Sequence, residues 1–255
     1  MTRQVEHPRT HAPSWLDANV VEPSTAPRGV VVVLQGRGDA PAHYRRLAER
    51  LAVDGYTAVV PLDAAGSAAD VARIWAGHAG AHAAAEAIRV IVAPDVAARH
   101  VAGALASGIL DPFPAGVVFA GSATGGGIAP DPDGGLDAEL ALRSACPVHR
   151  GVAQRSDAPP LLADADEPDW PEACASPPGI PALAIHGGAD VIAPLDTARR
   201  RLAGWADELI AVGGGLHDVL NDVHHRSVAA AVVQFLERLR IDAAARPVLT
   251  RETIA

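Results

Sequence analysis

The chain has no lysine; all 21 of its basic residues are arginine. That excludes Schiff-base chemistry on lysine, a lysine general base and the lysine-bearing phosphate loop of nucleotide hydrolases. Cysteine is scarce: Cys146 and Cys174 are too few for a disulfide framework or a thiolate metal site, and they suit a reducing compartment. No metal and no cofactor are expected. There is no run of about 18 apolar residues, so no membrane span is expected, although 49% of the chain is hydrophobic. Met1 to Pro13 lacks the apolar core of a signal peptide, and a cytoplasmic location is expected. Basic charge is in deficit, with a net charge of −9, which argues against a nucleic-acid partner. Aromatic residues make up 4%, and tyrosine is limited to Tyr44 and Tyr56.

What is present is an alternation. At 255 residues the chain is long enough for one α/β domain or two small ones. Gly29 to Leu34 is a β-branched run of the kind buried on both faces of a parallel sheet. Thr57 to Val60, Val90 to Val92, Gly116 to Ala120, Ile180 to Ile185 and Glu208 to Val212 repeat the pattern, and Trp15 to Val21 reads as a first edge strand. Helical stretches fall between them: Tyr44 to Val53, Ala68 to Ala87, Asp95 to about Ser107, Leu195 to Ala203 and Arg226 to Leu239. Strand–helix alternation predicts a mostly parallel sheet with right-handed crossovers. Gly121 to Pro178 interrupts it with a Gly-, Pro- and Asp-rich segment carrying one short helix near Leu136 to Ser144, read as a cap. The expected organisation is a core of 1–121 and 179–240, a cap of 122–178 and a tail of 241–255.

The stretch with most chemical content is Val90-Ile91-Val92-Ala93-Pro94-Asp95-Val96-Ala97. A strand enters a tight turn between small residues and leaves as a helix, the outline of a nucleophile elbow with an acid at its tip. Gln35-Gly36-Arg37-Gly38 follows an earlier strand. His186-Gly187-Gly188-Ala189-Asp190 and Gly213-Gly214-Gly215-Leu216-His217-Asp218 follow two later ones.

In these motifs and their order the chain resembles the α/β-hydrolase superfamily, over about Gly29 to Leu239. It is most similar to the lysophospholipase and monoacylglycerol-lipase-like branch, also called serine aminopeptidase-like. The resemblance implies an α/β-hydrolase fold with Asp95 as nucleophile, Asp190 as orienting acid and His217 as base. It further implies oxyanion donors in the backbone N–H groups of Arg37 and Val96. Gln35, Gly36, His149 and Trp170 are candidate contacts for a small or medium apolar substrate. A small molecule is thus the expected partner, and a homodimer stays open. Three residues depart from the pattern: Gln35 stands where histidine is common, Pro94 precedes the nucleophile, and Asp95 replaces serine.

An aspartate at the elbow resembles the haloalkane dehalogenases, fluoroacetate dehalogenase and epoxide hydrolases. There the carboxylate displaces a leaving group at carbon, and water then hydrolyses the ester. Epoxide opening in that group uses cap tyrosines, and both tyrosines here lie outside 122–178. Dehalogenases place tryptophan beside the nucleophile, where this chain has Val96. Ester or lactone hydrolysis with Asp95 and His217 as a general acid/base pair remains an alternative and would benefit from a raised Asp95 pKa. A degenerate site that binds without turnover is a third.

Blander roles compete for several residues. Asp95 could cap the helix that follows. His186 reads as structural, His224 and His225 as surface residues, Arg199 to Arg201 as a solvated helix face, and Gly125 to Gly127 as a hinge. His78 and His82 share a helix face but have no third ligand nearby. Gly121-Ser122 would supply a serine after a strand, yet no helix follows it.

Overall fold

The computed structural model describes residues 17–82, 87–128, 132–155, 170, 179–242 and 244–249. The expected segments at 1–16, 83–86, 156–169, 171–178 and 250–255 lie outside these, and Cys174 with them.

Seven strands form one sheet. They are β1 (Ala18–Val21), β2 (Gly29–Val33), β3 (Tyr56–Pro61), β4 (Ile88–Pro94), β5 (Gly116–Ala120), β6 (Ala182–Gly187) and β7 (Glu208–Val212), in the order β1-β3-β2-β4-β5-β6-β7. Only β1 runs antiparallel, pairing Ala18 with Pro61 at the edge. In register, Val33 lies beside Val92, and Pro94 beside Ala120. The ends of β2, β4 and β5 therefore finish level, which brings their following loops together.

The period-2 alternation of the strands serves two cores. Val30, Val32, Ile91, Ala93, Val117 and Phe119 face one layer, made by α2 (Ala68–Ala79), α3 (Asp95–Ala106) and α6 (Leu195–Leu202). Val31, Val33, Val90, Val92, Val118 and Leu183 face the other, made by α1 (Arg45–Val53) and α7 (His225–Ile241). Burial on both faces explains the unbroken valine run of β2. In α3, Ala97, Ala98, Ala102 and Ala104 are fully buried, so the helix following Asp95 lies close on the sheet.

Three segments differ from their expected form. α2 begins under a Ser67 cap, whose hydroxyl accepts the Asp70 N–H at 3.1 Å, and stops at Ala79 rather than Ala87; Gly77 and Gly80 weaken helix there. The 121–178 segment holds two described helices rather than one: α4 (Gly135–Arg143) and α5 (Pro147–Ala153). Pro147 opens α5, where its missing N–H costs nothing. The C-terminal stretch also packs: α7 runs to Ile241, and Ala245 is buried in the second core. No described helix is long and apolar enough to cross a membrane.

Candidate active site

β4 delivers Asp95 to the top of the sheet at φ +47°, in the left-handed region. A residue with a Cβ is seldom held there, and Asp tolerates it better than most. Its side chain does not cap α3: the N-cap is Pro94, with no side-chain hydrogen bond. Instead, Asp95 Oδ2 accepts the Arg37 backbone N–H at 2.8 Å, and Oδ1 lies 3.2 Å from His217 Nε2. The loop after β2 reaches this carboxylate because residue 36 is glycine. A Cβ on Gly36 would stand 2.6 Å from Asp39 Oδ2 and 3.0 Å from Asp95 Cβ.

His217 is carried by the glycine turn after β7 and is 1% exposed. Its Nδ1 lies 2.8 Å from Asp190 Oδ2. Asp190 is itself fixed, since its Oδ1 accepts the N–H groups of Ile192 and Ala193, each at 2.9 Å. His186 is structural, donating Nε2–H to the Ala193 carbonyl at 2.6 Å, and the same nitrogen lies 3.2 Å from Asp190 Oδ2. The three residues from three strand ends thus form one line, Asp95–His217–Asp190.

Gly121 makes room for that line. It sits at φ +52°, and a Cβ there would fall 2.1 Å from the His217 carbonyl oxygen. Gly121→Ala combines left-handed strain with a backbone overlap, so a loss of about 2–3 kcal/mol is expected. A thermal melt checks it, with Gly108→Ala (φ +64°, no neighbour within 4 Å) as the control for strain alone.

The line is charged. Burial raises the Asp95 carboxyl, but the hydrogen bond and charge of His217, then Arg143 and Arg37, outweigh it and bring the pKa to about 2. Burial disfavours the His217 imidazolium, yet the carboxylates of Asp190 and Asp95 push its pKa up to about 10. Against burial, His217 and His186 hold Asp190 well below the usual carboxylate range. At neutral pH the resting centre is an imidazolium between two carboxylates.

A cavity of about 10 Å³, room for one water's centre, opens above Asp95 between Asp39, Tyr44, His217, Asp218, Leu220 and Asn221. Tyr44 donates to Asp39 Oδ2 at 2.5 Å and accepts the Gly36 N–H at 3.0 Å. Burial and the Asp39 charge raise its pKa well above the phenol range, so it stays a donor. A second cavity, also about 10 Å³, lies between Asp39, His43, Arg143, His149 and Asp218.

The expected substrate contacts divide. Gly36 lies against Asp95. Val96 follows it in the first turn of α3, where N–H groups have no acceptor within the helix. The Gln35 amide is instead spent on the end of β3, donating to the Pro61 and Leu62 carbonyls at 2.7 and 3.3 Å. Trp170 is buried against Phe119, ring centroids 6.2 Å apart, in the α2–α3–α6 layer. His149 is 3.1 Å from Asp218 Oδ2 and borders the second cavity rather than the one at Asp95. Sequence reasoning passed over Asp39, Tyr44, Arg143 and Asp218. Asp39 and Asp218 adjoin the motifs and were within reach of it. Arg143 carries no local signal, its partners Asp218 and Arg37 being 75 and 106 residues away.

No protein-family model matches the chain, and no curated protein does. Solved structures match over most of its length. The monoacylglycerol lipase of Paleococcus ferrophilus superposes with a TM-score of 0.63 at 15% identity, covering 88% of this chain and 99% of that one. A soluble variant of the Saccharomyces cerevisiae monoglyceride lipase, in complex with a substrate analogue, gives 0.67 at 13%, covering 94% and 99%. A putative non-heme bromoperoxidase of Mycobacterium tuberculosis gives 0.65 at 16%, covering 91% and 99%. The seven-stranded, mostly parallel sheet flanked by helices is therefore an α/β-hydrolase fold.

Proposed function

We propose that the protein is a cofactor-free hydrolase in which the Asp95 carboxylate attacks carbon, and His217, held by Asp190, hydrolyses the resulting ester. One observation carries this reading: the elbow acid has one oxygen on the Arg37 N–H and the other beside the His217 ring. A carboxylate needs no deprotonation to attack. Oδ1 forms the bond to the substrate carbon as the carbon–halogen or epoxide carbon–oxygen bond breaks. An epoxide oxygen takes its proton from the His217 imidazolium; a halide leaves as the anion.

Ester formation removes the charge of Asp95, one of the two carboxylates that keep His217 protonated. On the epoxide branch the imidazolium has already given up its proton; on the halide branch it releases that proton to solvent, the counterpart of the departing halide, once the Asp95 charge is gone. Neutral His217 then takes a proton from water, whose oxygen attacks the Asp95 carboxyl carbon, and passes it on to the leaving alkoxide. The Arg37 N–H bonds the oxyanion that forms on Oδ2, and its collapse releases the alcohol and restores Asp95. A carboxyl whose pKa is lowered to about 2 is a poor general base, which weighs against direct attack of water on an ester or lactone. The cavity lining combines apolar Pro94, Ala120, Val219 and Leu220 with polar Asp39, Tyr44 and Asn221. This suits a small, mainly apolar substrate with one polar end.

The test is a panel of short epoxides, haloalkanes, esters and lactones, run on wild type and on His217→Ala. Turnover of an epoxide or haloalkane by wild type is expected. On a haloalkane, whose leaving anion needs no proton, His217→Ala should stop after the first step, with one alkyl-sized mass increment located on Asp95 by peptide mapping. Turnover of esters alone, with no adduct in His217→Ala, would overturn the covalent mechanism.

A further inference from the structure

The Asp95–His217–Asp190 line does not account for Arg143. This residue ends α4, in the inserted segment, and is 2% exposed. Its Nε lies 3.0 Å from each carboxylate oxygen of Asp218, and its Nη2 2.9 Å from Asp218 Oδ1. Its Nη1 donates to the Arg37 carbonyl at 2.8 Å. Nη2 lies 3.6 Å from Asp39 Oδ1 and 3.9 Å from Asp95 Oδ2, and Nη1 3.8 Å from Glu139 Oε1. The Arg143 backbone carbonyl accepts the Asp218 N–H at 2.8 Å. One planar fork thus ties together the loop whose N–H holds Asp95 and the loop that carries His217. The compact ammonium of a lysine could not span both.

The charged and titratable groups around Asp95 are His217, Arg37 and Arg143, with Asp39, Tyr44 and Asp218 on the same cavity. Those around Arg143 are Asp39, Asp95, Asp218 and Glu139, with His149 sharing Asp218. The insertion has a second, independent tie to the His217 loop. Asp222 accepts the Ala145 N–H at 2.7 Å and the Leu216 N–H at 2.9 Å. Changing Arg143 therefore leaves α4 anchored.

We propose that Arg143 is a positioning residue, clamping the Arg37 loop to the His217–Asp218 loop so that the Asp95 carboxylate stays between the Arg37 N–H and His217 Nε2. The proposal rests on reading Asp95 and His217 as the reactive pair. Its test needs no substrate, so a silent turnover panel leaves it fully testable.

The measurement is the titration of the His217 ring by ¹⁵N NMR in wild type, Arg143→Lys, Arg143→Gln, and Arg143→Ala with and without added guanidinium. Asp95 and Asp190 together keep the His217 imidazolium up to about pH 10. Once unclamped, Asp95 separates from the ring and His217 loses one of its two carboxylates. In Arg143→Gln its pKa should then fall by about a unit or more. Arg143→Lys should fall less, and guanidinium should return Arg143→Ala toward wild type. A through-space charge acts in the opposite sense, because removing a cation raises the pKa of its neighbour. A rise, or no change in a folded variant, overturns the proposal. Repeating Arg143→Gln in an Asp95→Asn background closes the cycle. No further fall is expected there, and one of the same size would show that the effect bypasses Asp95, overturning it too.

Discussion

Asp95→Asn should lower turnover of a reactive epoxide or haloalkane by at least about 10⁴-fold, the scale seen when one member of a cooperating catalytic set is removed. The substitution is nearly isosteric, and the Asn carbonyl still offers an acceptor to the Arg37 N–H, 2.8 Å from the native oxygen. What it removes is the charge that attacks carbon. It should also lower the His217 pKa from about 10, since one of the carboxylates supporting the imidazolium is gone. Kinetics and a ring titration on the same protein check both effects. Residual turnover within tenfold of wild type would mean that Asp95 is not the nucleophile.

Asp95→Ser sharpens the result. A serine at φ +47° would stand under a His217 with only Asp190 as its carboxylate partner, so the ring would hold its proton less tightly and would more readily take the serine proton. Gain of activity toward short esters is expected, with loss of epoxide or haloalkane cleavage. The same experiment identifies which chemistry the aspartate was placed to do.

Much of this arrangement was legible in the chain because its signals are local. A buried parallel strand must be apolar on both faces, so Gly29–Val33 and Gly116–Ala120 announce themselves as valine-rich runs. An elbow needs a strand, a tight turn and a helix in immediate succession, and Val90 to Ala106 supplies all three. His217 and Asp190 follow strand ends in glycine-rich turns for a steric reason: a Cβ at Gly187 would lie 2.3 Å from the Leu216 carbonyl oxygen.

The walls of the site were not legible, since their partners meet only in space. Tyr44 reads as the start of an amphipathic helix, and nothing nearby in sequence places its hydroxyl 3.0 Å from the Gly36 N–H. Arg143 looks like an ordinary basic residue in the last turn of a helix, where a cation favours the helix dipole. Its burial depends on carboxylates from two distant loops. Gln35 shows the converse situation. Its position in a motif suggested substrate contact, but it fills the backbone valence left open where β3 ends. Motif position predicts the backbone path well; the direction of a side chain depends on which orphan groups surround it.

The charged centre also makes the fold sensitive to alkali. His217 is raised from 6.5 to about 10, so its contribution is complete below its unfolded pKa and lost as the pH climbs through the folded one. Asp95, lowered from 3.8 to about 2, contributes above its unfolded pKa and loses that contribution as the pH falls through 2. These are two views of one ion pair and do not add. Between about pH 6.5 and 10 the native state holds a proton that the unfolded chain does not. Stability should then fall by about 1.4 kcal/mol per pH unit from this group alone, on the order of 5 kcal/mol across the window. Denaturant unfolding at pH 6.5, 8 and 9.5 reads the slope directly. His217→Gln keeps the volume and a hydrogen bond but cannot titrate, so its stability should lie below wild type at pH 6.5 and converge with it by pH 9.5. Asp95→Asn should shorten the window from its upper end, because the proton on His217 is then held by Asp190 alone. Parallel wild-type and His217→Gln curves across the range would mean that the ring is neutral in the native state, and the proton assigned to it in the mechanism would then have to come from elsewhere.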